Sequence, residues 1–356
     1  MRITFALPGT VLEPAGGAKI VYQYAAHLAD RGHAVTVLHP RTWDPVPGIV
    51  PAIKSLLWPK YIRKNFGGPV PWIAPHPGVT QKLCRDLTAS SVPDADVIIA
   101  TFFRTAPPVF ALPASKGRKF YFIQHYEDWA GPAAEVDATW RLPMKRIVIS
   151  RWLMEKATEL GVSADTFHVP NAMDLEKFVM RVPPQERLPV VAMLVNTTPF
   201  KGLADGVAAL NIIRASSSTL SVVGFGTSPR PDVLPEWMEY IERPGAGALE
   251  AIYNRASIML QPSHAEGWGL TSTEAMSCGC ALVTTDNGGS RDFAMDEETA
   301  LVCPVRNPEA LAGAALRLLD NTNLRTDIAL AGQKHVQQYS WNRSTDLLEL
   351  ALLADA

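Results

Sequence analysis

Cysteine is scarce, charge is nearly balanced, and no long apolar run interrupts the chain. The four cysteines among 356 residues, Cys84, Cys278, Cys280 and Cys303, form no C-x-x-C pair, and no His cluster has metal-ligand spacing. A disulfide framework and the common zinc sites are thereby excluded, and reduced cytosolic thiols are the default. With 33 basic and 35 acidic residues the formal net charge is −2, which offers nothing to bulk nucleic acid. No run approaches the roughly 18–20 apolar residues of a membrane helix. Arg2–Leu7 is too short, and too quickly followed by Pro8, for a signal peptide. No D-x-D-type motif stands at a sheet end, so neither a divalent ion nor another cofactor is expected. The expectation is a soluble cytoplasmic protein.

What is present is ordinary globular material, 47% hydrophobic and 19% charged, in a length that suits about two domains. Ile3–Leu7 predicts a strand, Pro8–Gly17 a loop, Lys19–Arg31 a helix stopped by Gly32, and Ala34–Leu38 a second buried strand. Such a βαβ unit predicts a right-handed parallel sheet with ligands at its strand ends. Gly16-Gly17 lets backbone approach a ligand there, although glycine pairs are most often plain turns. Asp96–Thr101 and Lys119–Gln124 read as further strands. His125 follows the second, beside Tyr126, Glu127, Asp128 and Trp129, where open α/β sheets place their chemistry. The alternative is a loop histidine making one hydrogen bond. Strands Arg146–Ser150 and Thr166–Val169, with a helix through Leu160 between them, complete the first set.

Residues 41–80 are rich in Pro, Trp and Gly and carry no clear strand. Within them Ala52–Lys64 interleaves Ile53, Leu56, Leu57, Trp58, Tyr61 and Ile62 with Lys54, Lys60, Arg63 and Lys64. A basic amphipathic stretch of this kind suits peripheral contact with a membrane or a lipid-linked acceptor. The alternative is a surface lid, since Pro59 interrupts any long helix.

The run V-P-P-Q-E-R-L-P (182–189) has the composition of a hinge, and after it the rhythm restarts. Val190–Val195 predicts a strand, Asn196–Gly202 a loop carrying Lys201, and Ala204–Arg214 a helix. Gly224-Phe225-Gly226 lacks the third glycine of a dinucleotide fingerprint. Strands at Ser257–Leu260 and Ala281–Thr285, and helices at Pro308–Leu319 and Leu324–Tyr339, follow. The expected architecture is α/β: two Rossmann-like domains, 1–181 and 182–339, with parallel sheets facing a central cleft and the tail 340–356 packing back on the first.

One stretch stands apart, Ser263–Cys280, S-H-A-E-G-W-G-L-T-S-T-E-A-M-S-C-G-C. Gly267 and Gly269 bracket Trp268 in a loop whose backbone can approach a ligand. Thr271 or Ser272 can cap a helix that Gly279 terminates, and the N–H groups of its first turn suit a phosphate. Glu274 is the only charge between Leu270 and Val283. A carboxylate so buried needs donors, either ligand hydroxyls or a core arginine. Cys278 and Cys280 read as small buried fillers.

With these residues the chain resembles, over essentially its whole length, the retaining nucleotide-sugar glycosyltransferases of family 4, which have the two-Rossmann "B" architecture. Gly16-Gly17 corresponds to their N-terminal glycine loop, Val169–Phe178 (V-P-N-A-M-D-L-E-K-F) to their P-N-G-V-D…F motif, Lys201-Gly202 to their Lys-Gly, and Glu266 to Glu274 to their E-x7-E. The resemblance implies roles. Gly17 would offer backbone to donor phosphate or acceptor, with Gly16 and Glu127 on the acceptor side. His125 would lie against the donor sugar, Lys201 would pair with the diphosphate, and Glu266 would face the transferred sugar. Gly267, Trp268, Gly269 and Leu270 would give amides to sugar and phosphate, and Glu274 would hold the ribose. Two positions depart from the pattern: Asn196 stands where the family has Arg, and Ala172 where it has Gly. Arg151 or Arg291 could replace the missing cation. The run Tyr121–Ile149 is similar to bacterial surface-polysaccharide members.

The function so implied is transfer of a sugar, with retention, from a nucleoside-diphosphate sugar to a glycan, lipid-linked or other acceptor, in polysaccharide or glycoconjugate synthesis. The alternatives are a nucleotide-sugar epimerase of similar architecture and a sugar-nucleotide-binding homologue weakened at Asn196.

Overall fold

The structure is a computed structural model that describes residues 1–42, 58–64, 68–217 and 220–354. The chain forms two compact units, Met1–Asn171 with Trp341–Ala356, and Ala172–Ser340. Each is built on one parallel sheet.

The first unit holds seven strands: β1 (Arg2–Ala6), β2 (Ala34–Pro40), β3 (Val79–Cys84), β4 (Val97–Ala100), β5 (Arg118–Ile123), β6 (Lys145–Val148) and β7 (Thr166–His168). Their order is β3-β2-β1-β4-β5-β6-β7. The apolar runs of the sequence are the central strands, and β4 is buried at every residue because helices cover both faces of such a sheet. The first helix, Gly16–Asp30, buries Ile20, Val21, Tyr24 and Leu28. The last helix, Trp341–Leu353, belongs to this unit: Trp341 meets the Tyr24 ring edge-on at 5.1 Å, and Glu349 takes His33 at 2.6 Å and also Arg31.

The second unit holds β8 (Val190–Leu194), β9 (Ser221–Gly226), β10 (Glu239–Glu242), β11 (Ile258–Gln261), β12 (Ala281–Thr285) and β13 (Ala300–Cys303). The order β10-β9-β8-β11-β12-β13 repeats the first six positions of the other sheet. Both are doubly wound, with the strand order reversing between β1 and β4 and between β8 and β11. Val191, Met193, Leu210, Ile258, Leu260 and Val283 are among the core of this unit.

Three strands escape the sequence pattern, and all three lie at sheet edges. β3 (Val79–Cys84) starts at the end of residues 41–80, where no strand is expected, and runs four residues past it. It pairs with β2 alone, and its four middle residues are exposed or half-buried. Edge strands are solvated on one side and need no apolar run. Residues 52–57 of the basic amphipathic stretch lie outside the described residues. Residues 58–64 are helical, with Ile62 buried and Tyr61 57% exposed. Among the described residues no helix is long and apolar enough to cross a membrane.

The units divide at 171/172, not at the Pro-rich run. Phe178 packs on Tyr253, Ser277 Oγ donates to the Phe178 carbonyl at 2.7 Å, and Asn254 Oδ1 accepts from the Arg181 N–H at 2.7 Å. Within the expected hinge, Arg187 is 6% exposed. Its guanidinium donates to the carbonyls of Val182, Tyr253 (3.0 Å), Ala256 (2.7 Å) and Cys278. Prolines break helix and strand patterns whether a segment swings or is pinned, so composition alone misread this one. Arg187→Ala, which strands these carbonyls inside the unit, is expected to destabilise it by about 3–5 kcal/mol in urea denaturation. Arg187→Lys should recover little of this, because an ammonium cannot span the guanidinium's set of acceptors.

Candidate functional site

In the second unit the loops leaving β8 and β11 lie side by side, because those strands are neighbours where the order reverses. Asn196 Oδ1 accepts from the Thr198 N–H at 2.9 Å, closing a local turn that leads to Lys201. Gly202 then takes a left-handed backbone at φ 65°. A Cβ there would stand 2.0 Å from the Pro262 carbonyl oxygen, so the residue after Lys201 has to be glycine. The second loop locks on through His264, whose N–H donates to the Phe200 carbonyl at 2.7 Å and whose Nε2 meets Asp205 at 2.6 Å.

Lys201 Nζ reaches both carboxylate oxygens of Glu266 at 2.8 Å. Ser263 Oγ and Gln261 Nε2 donate to Oε1 of the same group, at 2.8 and 3.1 Å. The Glu266 side chain is 8% exposed and that of Lys201 22%, so the ammonium is the outer member of the pair. Read separately from the sequence, the two residues form one unit in the structure. Asn196 is committed to its own loop. Arg291 is held by Asp286 through two contacts of 2.7 and 3.0 Å, and Arg151 belongs to the other unit.

The helix Leu270–Ser277 starts earlier than expected. Its N-cap is Gly269 at φ 106°, with no side-chain cap, so Thr271 and Ser272 sit inside its first turn. Thr271 Oγ1 instead donates to Gln261 Oε1 at 3.4 Å, linking the helix start to the Glu266 cluster. Gly279 does end the helix, with its N–H on the Met276 carbonyl. The Trp268 ring is 3% exposed, edge-on to Tyr339 at 4.9 Å and 5.6 Å from Phe293, so it fills the core, and what it leaves for a ligand is the backbone whose amide the family resemblance implies. A Cβ on Gly289 would lie 2.7 Å from the Trp268 N and O, which requires glycine at 289. Glu274 is 3% exposed and accepts from the Tyr253 hydroxyl at 3.4 Å. Cys278 and Cys280 are buried free thiols, and burial pushes Cys280 up to about 12.

In the first unit, Gly16 and Gly17 open the first helix, and Gln124 Nε2 donates to the Gly17 carbonyl at 3.2 Å. His125 Nδ1–H donates to the Tyr126 carbonyl at 2.7 Å, and its ring meets Trp152 edge-on. Glu127 does not face outward. It is 7% exposed, accepts from the Phe103 N–H at 2.7 Å and from the Tyr121 hydroxyl at 3.4 Å, and burial pushes it up to about 8. The backbone N–H that opens the Phe103–Thr105 turn draws it inward, and such a contact across 24 positions leaves no trace in the sequence. Sequence reasoning also missed His39, buried at the end of β2. Its Nδ1–H donates to the Gly9 carbonyl at 2.8 Å, the Tyr22 hydroxyl donates to its Nε2 at 2.7 Å, and burial lowers it to about 4. The one available signal was a histidine closing an apolar strand.

Residues 235–335 match the family described as Glycosyl transferases group 1. The D-inositol 3-phosphate glycosyltransferase of Saccharomonospora viridis is 33% identical over 104 residues, covering 29% of this chain and 24% of its own. The phosphatidyl-myo-inositol mannosyltransferase of Mycolicibacterium smegmatis is 23% identical over 372 residues, covering 96% of this chain and 91% of its own. Among solved structures, HepE of Anabaena in complex with UDP and glucose aligns with a TM-score of 0.71 at 14% identity, over 99% of each chain. The chain spans only 24% and 42% of the length of two inositol-phosphate glycosyltransferases that it matches. The fold is that of the two-Rossmann glycosyltransferases, and the resemblance read from the sequence holds at that level.

Glu127 gives the first unit a distinct pH signature. Its folded value of about 8 lies above the ordinary 4.5, so its contribution to stability is full below about pH 4.5 and is lost as pH rises through about 8. Glu127→Gln should flatten that decline, and denaturation midpoints taken between about pH 5 and 8 in both proteins measure it. Equal slopes would mean that the carboxyl is ionised throughout.

Proposed function

We propose that the chain is a retaining, family 4-type glycosyltransferase that moves a hexosyl or deoxyhexosyl unit from a nucleoside-diphosphate sugar. The acceptor on this reading is a glycan or lipid-linked molecule of cell-surface polysaccharide or glycoconjugate synthesis. The observation that carries it is the Lys201–Glu266 pair beside a helix start headed by Gly269.

The chemistry follows from that arrangement. Cleaving the anomeric bond leaves negative charge on the diphosphate, and an ammonium already fixed in a poorly hydrated place stabilises it without reorganising. Lys201 is that cation, and uncapped N–H groups of the Leu270–Ser277 helix add partial positive charge. Glu266, whose Oε1 is held by Ser263 and Gln261, orients the transferred sugar rather than attacking it, and the diphosphate assists front-face substitution. Glu274 takes the ribose hydroxyls. Gly17 and His125 keep the phosphate and sugar contacts that the family resemblance implies. No divalent ion takes part. A UDP-sugar donor is supported by the ligands named for HepE, and a lipid acceptor by the name of the mycobacterial mannosyltransferase. The helical part of the basic stretch, residues 58–64, is on this reading a point of peripheral contact with the inner face of a membrane.

A thermal-shift screen with UDP-, GDP- and dTDP-sugars identifies the donor, since a ligand at 100 times its Kd adds about 2.7 kcal/mol of stability. With that donor, Lys201→Ala should lower turnover by about 10²–10³ while the protein stays folded. Activity within about twofold of the parent would remove Lys201 from the mechanism. Tight donor binding with neither transfer nor hydrolysis in the parent would favour the weakened homologue, which Asn196 at the arginine position supports. EDTA should leave turnover unchanged, and a loss restored only by a metal would overturn the metal-free reading.

A further inference from the structure

Among the described tryptophans, Trp129 is the most exposed, at 55%. Trp237, at 37%, has the Arg214 guanidinium over its ring at 5.6 Å. A single exposed indole is unremarkable on most surfaces. What sets Trp129 apart is how its backbone is held.

The Ala130 N–H donates to the Glu127 carbonyl at 3.0 Å, so residues 127–130 form a tight turn with Asp128 and Trp129 at its centre. The buried Glu127 carboxyl anchors one end of that turn to the Phe103 N–H at 2.7 Å. Arg104 lies at the other end, its guanidinium 3.4 Å from the Ala130 carbonyl and 5.3 Å from the Phe103 ring centre. Gly131 follows, where a Cβ would come within 2.7 Å of Phe103 Cζ. The turn is therefore pinned from both sides, four residues past the end of β5 and just beyond His125. Asp128, next to Trp129 in the turn, and Arg104, at the turn's Ala130 end, are both exposed.

We infer that the Glu127–Ala130 turn is a carbohydrate platform on which Trp129 stacks a pyranose ring of the acceptor glycan. A sugar ring has one face of C–H groups that suits an aromatic face, and hydroxyls round its rim that suit a carboxylate and a guanidinium. A large, rigid aromatic surface loses little conformational entropy on contact. This rests on the transferase reading and refines it: Glu127, expected to touch the acceptor, is the positioning residue, and Trp129 makes the contact.

Native gel electrophoresis through gels containing soluble mannan, glucan or galactan tests the platform without any donor. The parent should be retarded in at least one gel, and Trp129→Ala should weaken that retardation at least about tenfold in apparent Kd, with Trp129→Phe recovering part of it. Retardation of the parent in none of the gels, or equal retardation of Trp129→Ala, would overturn the proposal. So would binding to phosphatidylglycerol vesicles that disappears in Trp129→Ala, which would make the indole a membrane contact. The thermal shift with UDP-glucose, run on both proteins, reads the transferase proposal separately and should not differ between them.

Discussion

Lys201 and Glu266 hold each other through both carboxylate oxygens, and the second unit is arranged around the need to keep that pair in place. A carboxylate as buried as Glu266 costs several kcal/mol to desolvate unless a cation and further donors meet it. Lys201, Ser263 and Gln261 meet that requirement. The pair in turn dictates its neighbours. Gly202 must be glycine so that the Lys201 loop can lie against the Pro262 carbonyl, and Asn196 closes the turn that aims the lysine. Gln261 also accepts from Thr271, so the helix start that carries the uncapped N–H groups is tied to the same cluster.

The first unit repeats the strand order but anchors its loops differently. Its interior contacts at the strand ends use groups that stay neutral: His39 between Gly9 and Tyr22, and Glu127 on the Phe103 N–H. Burial drives both toward the uncharged form, lowering the histidine and raising the acid. One topology thus supports two kinds of strand-end chemistry, ionic in the second unit and hydrogen-bonded in the first. On the proposed reading, the ionic cluster is where charge developing on a diphosphate is answered.

Much of the fold was legible. The central strands are continuous apolar runs, as strands buried on both faces must be, and each is followed by a helical spacing or a glycine loop. β3 and β10 were not legible, because an edge strand is half solvated and carries no such run; β13 is apolar and mostly buried, and its run is only four residues long. The Pro-rich run at 182–189 was misread because composition reports broken periodicity and not whether a buried arginine pins the segment. The candidate residues were legible one by one: Lys201, Glu266 and the glycines of the loop stand at strand ends or a helix start, and Glu274 lies within that helix. Their mutual roles were not. Thr271 and Ser272 looked like caps until Gly269 took the cap position, and nothing in the sequence told that the Trp268 ring packs against Tyr339 and Phe293.

The sequence by itself determined the alternation of strand and helix, hence the parallel doubly wound class, and the glycines at 202, 269 and 279, which local backbone geometry demands. Tertiary structure decided which residues meet. Lys201 and Glu266 are 65 positions apart and pair only because β8 and β11 are neighbours where the strand order reverses. It also decided which way a side chain turns, inward for Trp268 and Glu127 and outward for Trp129. That direction depends on packing partners distant in the chain, and a residue's own neighbours in sequence carry no information about them.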